Sequence, residues 1–284
     1  MRQRHRAVSR ETPGEATGTY RQLSSRVRLP GENTALSTSD PAAPSPRSGL
    51  LNVADIVIAP NAAFDRLRQV PTWFWAFVVA SLLAIAGSLL SQPGMQHALE
   101  VSLPAQLAAD PNIAKLSPER QQTQIAAALK MTHVITQIGW ILVPFAILIT
   151  GVIQALILTV ANAIAKGEGD FKKFFALSVT VSVVGTGLYT IVYALIVLVR
   201  GPSSFESMTA LQTAVPGLGL LVPGAHGALG GFLGAFNIFF LWATALLALG
   251  AMRVGRVSPG AAWSASILVL VFYALFAAFG ARNG

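Results

Sequence analysis

The sequence predicts an all-α, polytopic integral membrane protein with five transmembrane helices, its N-terminus cytoplasmic and its C-terminus outside. Three observations carry this. Hydrophobic residues form 53% of the 284 and charged residues only 11%, where a soluble domain carries roughly 25% charge. The charge is also gathered at one end: residues 1–71 hold 10 of the 20 Lys+Arg and 6 of the 12 Asp+Glu. Beyond them run several stretches with no ionisable residue, each of about 18 residues or more, enough to cross or nearly cross a hydrocarbon core of about 30 Å. The net charge of +8 does not point to nucleic acid, because the basic residues sit in a tail and at span ends, where membrane orientation accounts for them. Cysteine is absent, which removes disulfides, thiolate metal sites and thiol catalysis together.

Residues 1–49 read as a disordered basic tail. They are rich in Arg, Ser, Thr and Pro, open with Arg2, Arg4, Arg6 and Arg10, and lack the apolar periodicity that would offset the entropy of ordering. No apolar core follows the first arginines, as a secretory signal requires, and Glu11, Glu15 and Glu32 argue against a transit peptide. Residues 50–71 read as an interfacial amphipathic segment. Asn61 is placed to cap a short helix in which Phe64, Leu67 and Val70 share one face, Arg66 and Arg68 take the other, and Pro71 ends it.

Residues 72–284 form the five-span membrane domain. The first span is expected from Trp73 to Leu90, with Trp73 and Trp75 at headgroup level. The second runs from Gln137 to Ala163, the third from Phe174 to Val199, the fourth from Gly230 to Ala251, and the fifth from Ala261 to Phe279. Ser258-Pro259 supplies a cap and a first-turn proline for the fifth. In the outside loop 92–133, Ser117-Pro118-Glu119 starts a helix that continues into the second span. In the outside loop 201–229, Ser203-Ser-Phe-Glu206 has the capping-box pattern, and the Pro/Gly-broken run 215–224 suits an interfacial or re-entrant segment. Orientation follows from basic residues: with the N-terminus inside, fifteen lie on cytoplasmic segments and five outside.

Chemistry is sparse. By these boundaries no Asp, Glu, Lys, Arg or His lies within a span, whereas proton relays and ion-coupled transporters need such groups. His5, His97, His133 and His226 form no metal-binding spacing. Span serines such as Ser81, Ser88, Ser178 and Ser182 lack a partner base and are expected to back-bond to helix carbonyls or to neighbouring helices. No catalytic residue, cofactor or metal site is expected. Helix packing is better signalled: Gly227/Gly231 and Gly230/Gly234 each place two glycines four apart, allowing close backbone approach. Asn237, further along, is expected as a buried amide bonding across helices.

Three stretches resemble the Yip domain family, named for membrane proteins that interact with Ypt/Rab GTPases. Ile56-Val-Ile-Ala-Pro60-Asn-Ala-Ala-Phe64 through Pro71-Thr-Trp73 is similar to the family's entry segment. Gly167-Glu-Gly169-Asp170-Phe171-Lys-Lys-Phe-Phe-Ala176 is similar to its glycine-acidic-Phe-Lys loop opening the third span. Asn237-Ile-Phe-Phe-Leu-Trp242, with Leu249-Gly250 and Ser258-Pro-Gly-Ala-Ala262, is similar to its fourth-to-fifth span signature. Two positions depart: Val183-Val184-Gly185 stands where the family often has a proline, and Asn237 where it often has an acid. The resemblance implies a membrane-organising or trafficking-adaptor protein. The Ala/Arg-rich, cysteine-free composition favours a bacterial-type member, placed in the plasma (inner) membrane. The resulting expectation is a non-enzyme that binds lipid or a membrane-protein partner, itself included. The alternative is a channel or permease for a small neutral solute, with the broken segment 215–224 and Gln137, Gln154 and Asn162 as its polar path.

Overall fold

A computed structural model describes residues 46–222, 225 and 227–281. The predicted tail over residues 1–45, His226 and Arg282 lie outside the described residues. The described part is all-helical, with a single isolated bridge between Gly217 and Asn237 as its extended pairing. Twelve α-helices follow in order: α1 (Pro46–Ile58), α2 (Pro60–Gln69), α3 (Phe74–Ala109), α4 (Pro111–Ala114), α5 (Pro118–Ile138), α6 (Val143–Ala165), α7 (Phe171–Ser182), α8 (Tyr189–Arg200), α9 (Met208–Gln212), α10 (Gly227–Gly234), α11 (Ile238–Val254) and α12 (Pro259–Gly280). The tail predicted to end at residue 49 therefore stops earlier, because Pro46–Gly49 already belong to α1.

Four helical runs are long and apolar enough to cross a membrane: Phe74–Ala108, Pro118–Ala165, Phe171–Arg200 and Pro259–Gly280. The second joins α5 to α6 through a 3₁₀ turn at Gly139–Leu142, and the third joins α7 to α8 through a π-helical turn at Val183–Leu188. As Ser117-Pro118 predicted, the helix that starts at Pro118 continues into the second of these runs. The first helix is longer than expected. It passes through Pro93 and Pro104 to Ala109, although a proline removes one helical hydrogen bond. Packing explains it: Ala98 on this extension is fully buried with Val197, Phe205 and Leu211 in a small core of its own.

The predicted fourth span divides in two. α10 ends at Gly234, and α11 begins afresh at Ile238 with 17 residues. Asn237 causes the break. Its Oδ1 accepts from the amides of Phe239 and Phe240, both at 3.1 Å, and its Nδ2 donates to the Gly234 carbonyl at 3.1 Å. The side chain is buried as expected, but it caps a new helix instead of reaching across to another. The capping box at Ser203–Glu206 is likewise not used. That stretch makes a 3₁₀ turn at Pro202–Ser204, and Ser207 Oγ caps α9 by accepting from the Ala210 amide at 3.1 Å. In α2, Pro60 takes the first turn and Asn61 lies inside the helix, so the residue before Pro60 is the cap position.

The main core runs along α3, α6, α7 and α11 and continues under the α1–α2 hairpin. Phe64, Leu67, Leu158, Phe174, Leu177, Leu246 and Leu247 are all buried within it. The Phe64 and Leu67 face of α2 is thus covered by protein and not by lipid, while Val70 stays exposed. The span serines differ among themselves. Ser182 back-bonds to the Val179 carbonyl at 2.7 Å, whereas the buried hydroxyls of Ser81 and Ser178 have no partner among the described residues.

Candidate functional site

Charge and cavity lie at opposite ends of the helices. The charged end joins the α1–α2 hairpin, the α6–α7 turn and the α11–α12 turn. Arg66 pairs with Asp55 and also donates from Nε to Asn52 Oδ1 at 2.7 Å. Arg253 meets Asp65 at 3.1 Å, Arg256 meets Glu168 at 2.7 Å, and the Glu168 amide donates to the Gly255 carbonyl at 2.7 Å. These ion pairs are partly exposed, so each contributes only about 0–1 kcal/mol. Their value here is in register, since they tie three separate turns together.

The α6–α7 turn is built from a single buried amide. Asn162 Nδ2 donates to the Gly169 carbonyl at 3.0 Å, and Asn162 Oδ1 accepts from the Gly169 amide at 3.1 Å. Lys166 takes a left-handed conformation at φ 54° to end α6. Asp170 then caps α7, its Oδ1 accepting from the Lys173 amide at 2.8 Å. Asp170→Ala is therefore expected to lower stability by about 0.5–2 kcal/mol, with Asp170→Asn nearly neutral. Thermal unfolding of the purified variants checks this; an Asn variant as unstable as the Ala one would show that the charge, and not the cap, matters.

A cavity of about 470 Å³ opens at the other end, between α3, the α5–α6 junction, α8 and α9. Tyr189 lies about 28 Å along the helix from Asp170 at ~1.5 Å per residue, which is one bilayer core away from the charged turns. α3 contributes Ser88, Ser91, Gln92 and Met95, a set at i, i+3, i+4 and i+7 and so on one helix face. Gln92 Nε2 donates to the Thr136 carbonyl at 3.3 Å and ties α3 to α5. α8 contributes Tyr189, Thr190 and Tyr193, the two tyrosine rings stacked at 6.1 Å. No Asp, Glu, Lys, Arg or His is among its lining residues.

Helix geometry is irregular around this cavity. The 3₁₀ turn supplies Gly139 and Trp140 to its wall, and the π-helical turn ends at Leu188, next to Tyr189. Such departures from the α-helical ladder collect at functional sites. At membrane depth, irregular backbone is tolerated where protein or a cavity surrounds it.

The model of the Yip1 domain family matches residues 54–279. The chain belongs to the Yip1 domain family. The membrane protein YknW of Bacillus subtilis (strain 168) is 25% identical over 225 residues, covering 78% of this chain and 87% of that one. With a bacterial membrane protein among its relatives, the Yip1-domain chain fits the bacterial type expected from composition. No solved structure matches it.

The Yip1 motif residues separate into two groups. Pro60 and Phe64 of α2, Pro71 after it, and the Gly169-Asp170-Phe171 turn gather at the charged end, where Phe171 stacks on Phe175 at 6.0 Å. Asn237 belongs to the opposite end with α10, while Trp242 packs against the main core from α11. Of the four glycines, Gly230 and Gly231 are buried, Gly227 opens α10 at φ 55°, and Gly234 closes it. A Cβ on Gly231 would stand 2.6 Å from the Ala277 carbonyl oxygen, so this glycine lets α10 lie against α12 of the same chain. At Val183-Val184-Gly185, where the family often has proline, the Yip1-domain chain carries the start of the π-helical turn.

The sequence alone does not mark the cavity residues as a site. Their signal was present: Ser88, Ser91 and Gln92 form a polar stripe at helical spacing inside an apolar run.

Proposed function

We propose that this Yip1-domain protein is a five-span, non-catalytic membrane-organising protein that binds a lipid or a membrane-protein partner within the bilayer. The observation that carries the reading is the division between a charged end, where ion pairs tie the turns together, and a far-end cavity lined only by neutral groups. General acid–base chemistry would ask for a titratable group poised near neutral pH at the reacting centre, and the cavity wall offers serine, threonine, glutamine and tyrosine instead. Five spans are consistent with α11 crossing as the fourth. Its 17 residues extend about 26 Å at ~1.5 Å each, a shortfall that local bilayer thinning accommodates. The plasma (inner) membrane is the proposed location.

Reporter fusions test the orientation. A reporter active only in the cytoplasm is expected to work after Lys166 and to stay silent after Gly284; the reverse pattern would refute the topology.

The permease alternative gains little from its three polar residues. Gln137 is exposed and bonds His133 at 2.8 Å, and Asn162 is held by Gly169 in the turn. That leaves Gln154 at depth. We expect Asn162→Leu to cost about 1–3 kcal/mol by stranding the Gly169 amide and carbonyl, and Gln154→Leu to change stability little. Vesicles containing the purified protein should swell no faster in glycerol or urea than empty ones. Rapid swelling abolished by Gln154→Leu would favour the permease instead.

A further inference from the structure

We infer that the far-end cavity is a binding site for a neutral acylglycerol, holding its hydroxyl and ester groups with the start of one acyl chain. This deepens the proposed binding function and rests on it. Four observations lead there. The cavity lies one bilayer core away from the charged turns, at the depth where glycerol esters meet acyl chains. Trp140 at its edge is a residue type that favours this boundary.

Size is the second. Its 470 Å³ is roughly 16 times the ~30 Å³ a water occupies in the liquid. That is more than a glycerol or urea fills, and suits a glycerol ester with several methylenes. Met95, Met208 and Leu211 line the apolar part, and methionine adapts to irregular chains.

Hydrogen bonding is the third. Among the described residues, the hydroxyls of Ser88 and Tyr193 and the carbonyl oxygen of Gln92 are not engaged. Hydroxyls donate to ester carbonyls, and the Gln92 oxygen accepts from a lipid hydroxyl, so donors and acceptors are both present.

The fourth is charge. A buried phosphate requires cations or several donors to replace its hydration. No Lys or Arg lines the cavity, and the Arg200 guanidinium on the same helix stacks over Phe205 at 4.8 Å. The wall discriminates against phospholipid headgroups in favour of an uncharged one.

The test uses the full chain in phosphatidylcholine vesicles with a diacylglycerol that carries a photoactivatable diazirine in one acyl chain. Illumination should label peptides containing residues 88–95, 135–143, 189–193 or 208–211. Excess dioleoylglycerol should remove that label, while phosphatidylglycerol and free glycerol should not. Ser88→Trp, which places an indole inside the cavity, should lower specific labelling about tenfold. Tyr193→Phe should weaken competition by dioleoylglycerol about three- to tenfold, the effect of one hydrogen bond, at unchanged unfolding temperature. Labelling spread over all lipid-facing helices, or insensitivity to both variants when they remain folded, overturns the acylglycerol site. Equal competition by phosphatidylglycerol overturns the neutral-lipid assignment and leaves partner binding intact. Competition by free glycerol, together with glycerol-driven swelling, overturns the binding function itself.

Discussion

Gly87→Ala should destabilise the protein by about 1–3 kcal/mol, or more if the helices cannot separate, as over-packing of a closely fitted seam does. A Cβ at this position would stand 2.6 Å from both the carbonyl carbon and the carbonyl oxygen of Thr190. Those atoms are backbone, so no rotamer change relieves the contact, and α3 must move away from α8. The cavity wall moves with it, because Thr190 makes this contact, Ser88 adjoins it, and both line the cavity. Gly187 provides the comparison. A Cβ there meets Leu83 Cδ1 at 3.2 Å and Leu83 Cβ at 3.3 Å, contacts that a shift of a few tenths of an ångström accommodates. Thermal unfolding in detergent should place Gly87→Ala well below Gly187→Ala. Equal losses would mean that the seam is looser than its backbone distances require.

Phe64→Ala should cost about 3–5 kcal/mol, the range for truncating a buried aromatic side chain. Phe64 is fully buried beneath α2 and lies against Gly250 of α11. A helix resting on lipid would lose far less, since the bilayer refills the space. Limited proteolysis at the α1–α2 hairpin, followed with temperature, separates the two cases. Early cleavage in the Phe64→Ala variant is expected. Unchanged cleavage would mean that α2 is held by its ion pairs alone.

Phe64 and Asp170 show what a sequence makes legible. The Phe64 stripe was visible as periodicity, but periodicity cannot say whether lipid or protein covers an apolar face. The Asp170 cap was legible because capping is local: a carboxylate three residues before the amide it accepts from needs no tertiary information. Asn237 shows the limit of that reasoning. Within a long apolar run it reads as a buried amide, yet its side chain competes with the backbone and starts a new helix. The preceding glycines, weak helix formers at about 1 kcal/mol each relative to Ala, make the break inexpensive. Pro93 misleads in the opposite direction, because burial of Ala98, Val197 and Phe205 holds α3 together past a residue that locally favours a break. The cavity is hidden for a further reason: its walls come from four segments spread over residues 88–211, and no local pattern encodes their convergence.

The helix Pro118–Ala165 also has the geometry of a lever. One arm, the 21 residues of α5, extends about 31 Å beyond the 3₁₀ turn that borders the cavity. A tilt of about 10° at that fulcrum would sweep the Pro118 end through roughly 5 Å. α3 runs beside this arm as far as Ala109, with α4 closing the tip, so both arms would swing as one rod. Filling or emptying a chamber of molecular size beside that fulcrum would then be read as displacement well outside it.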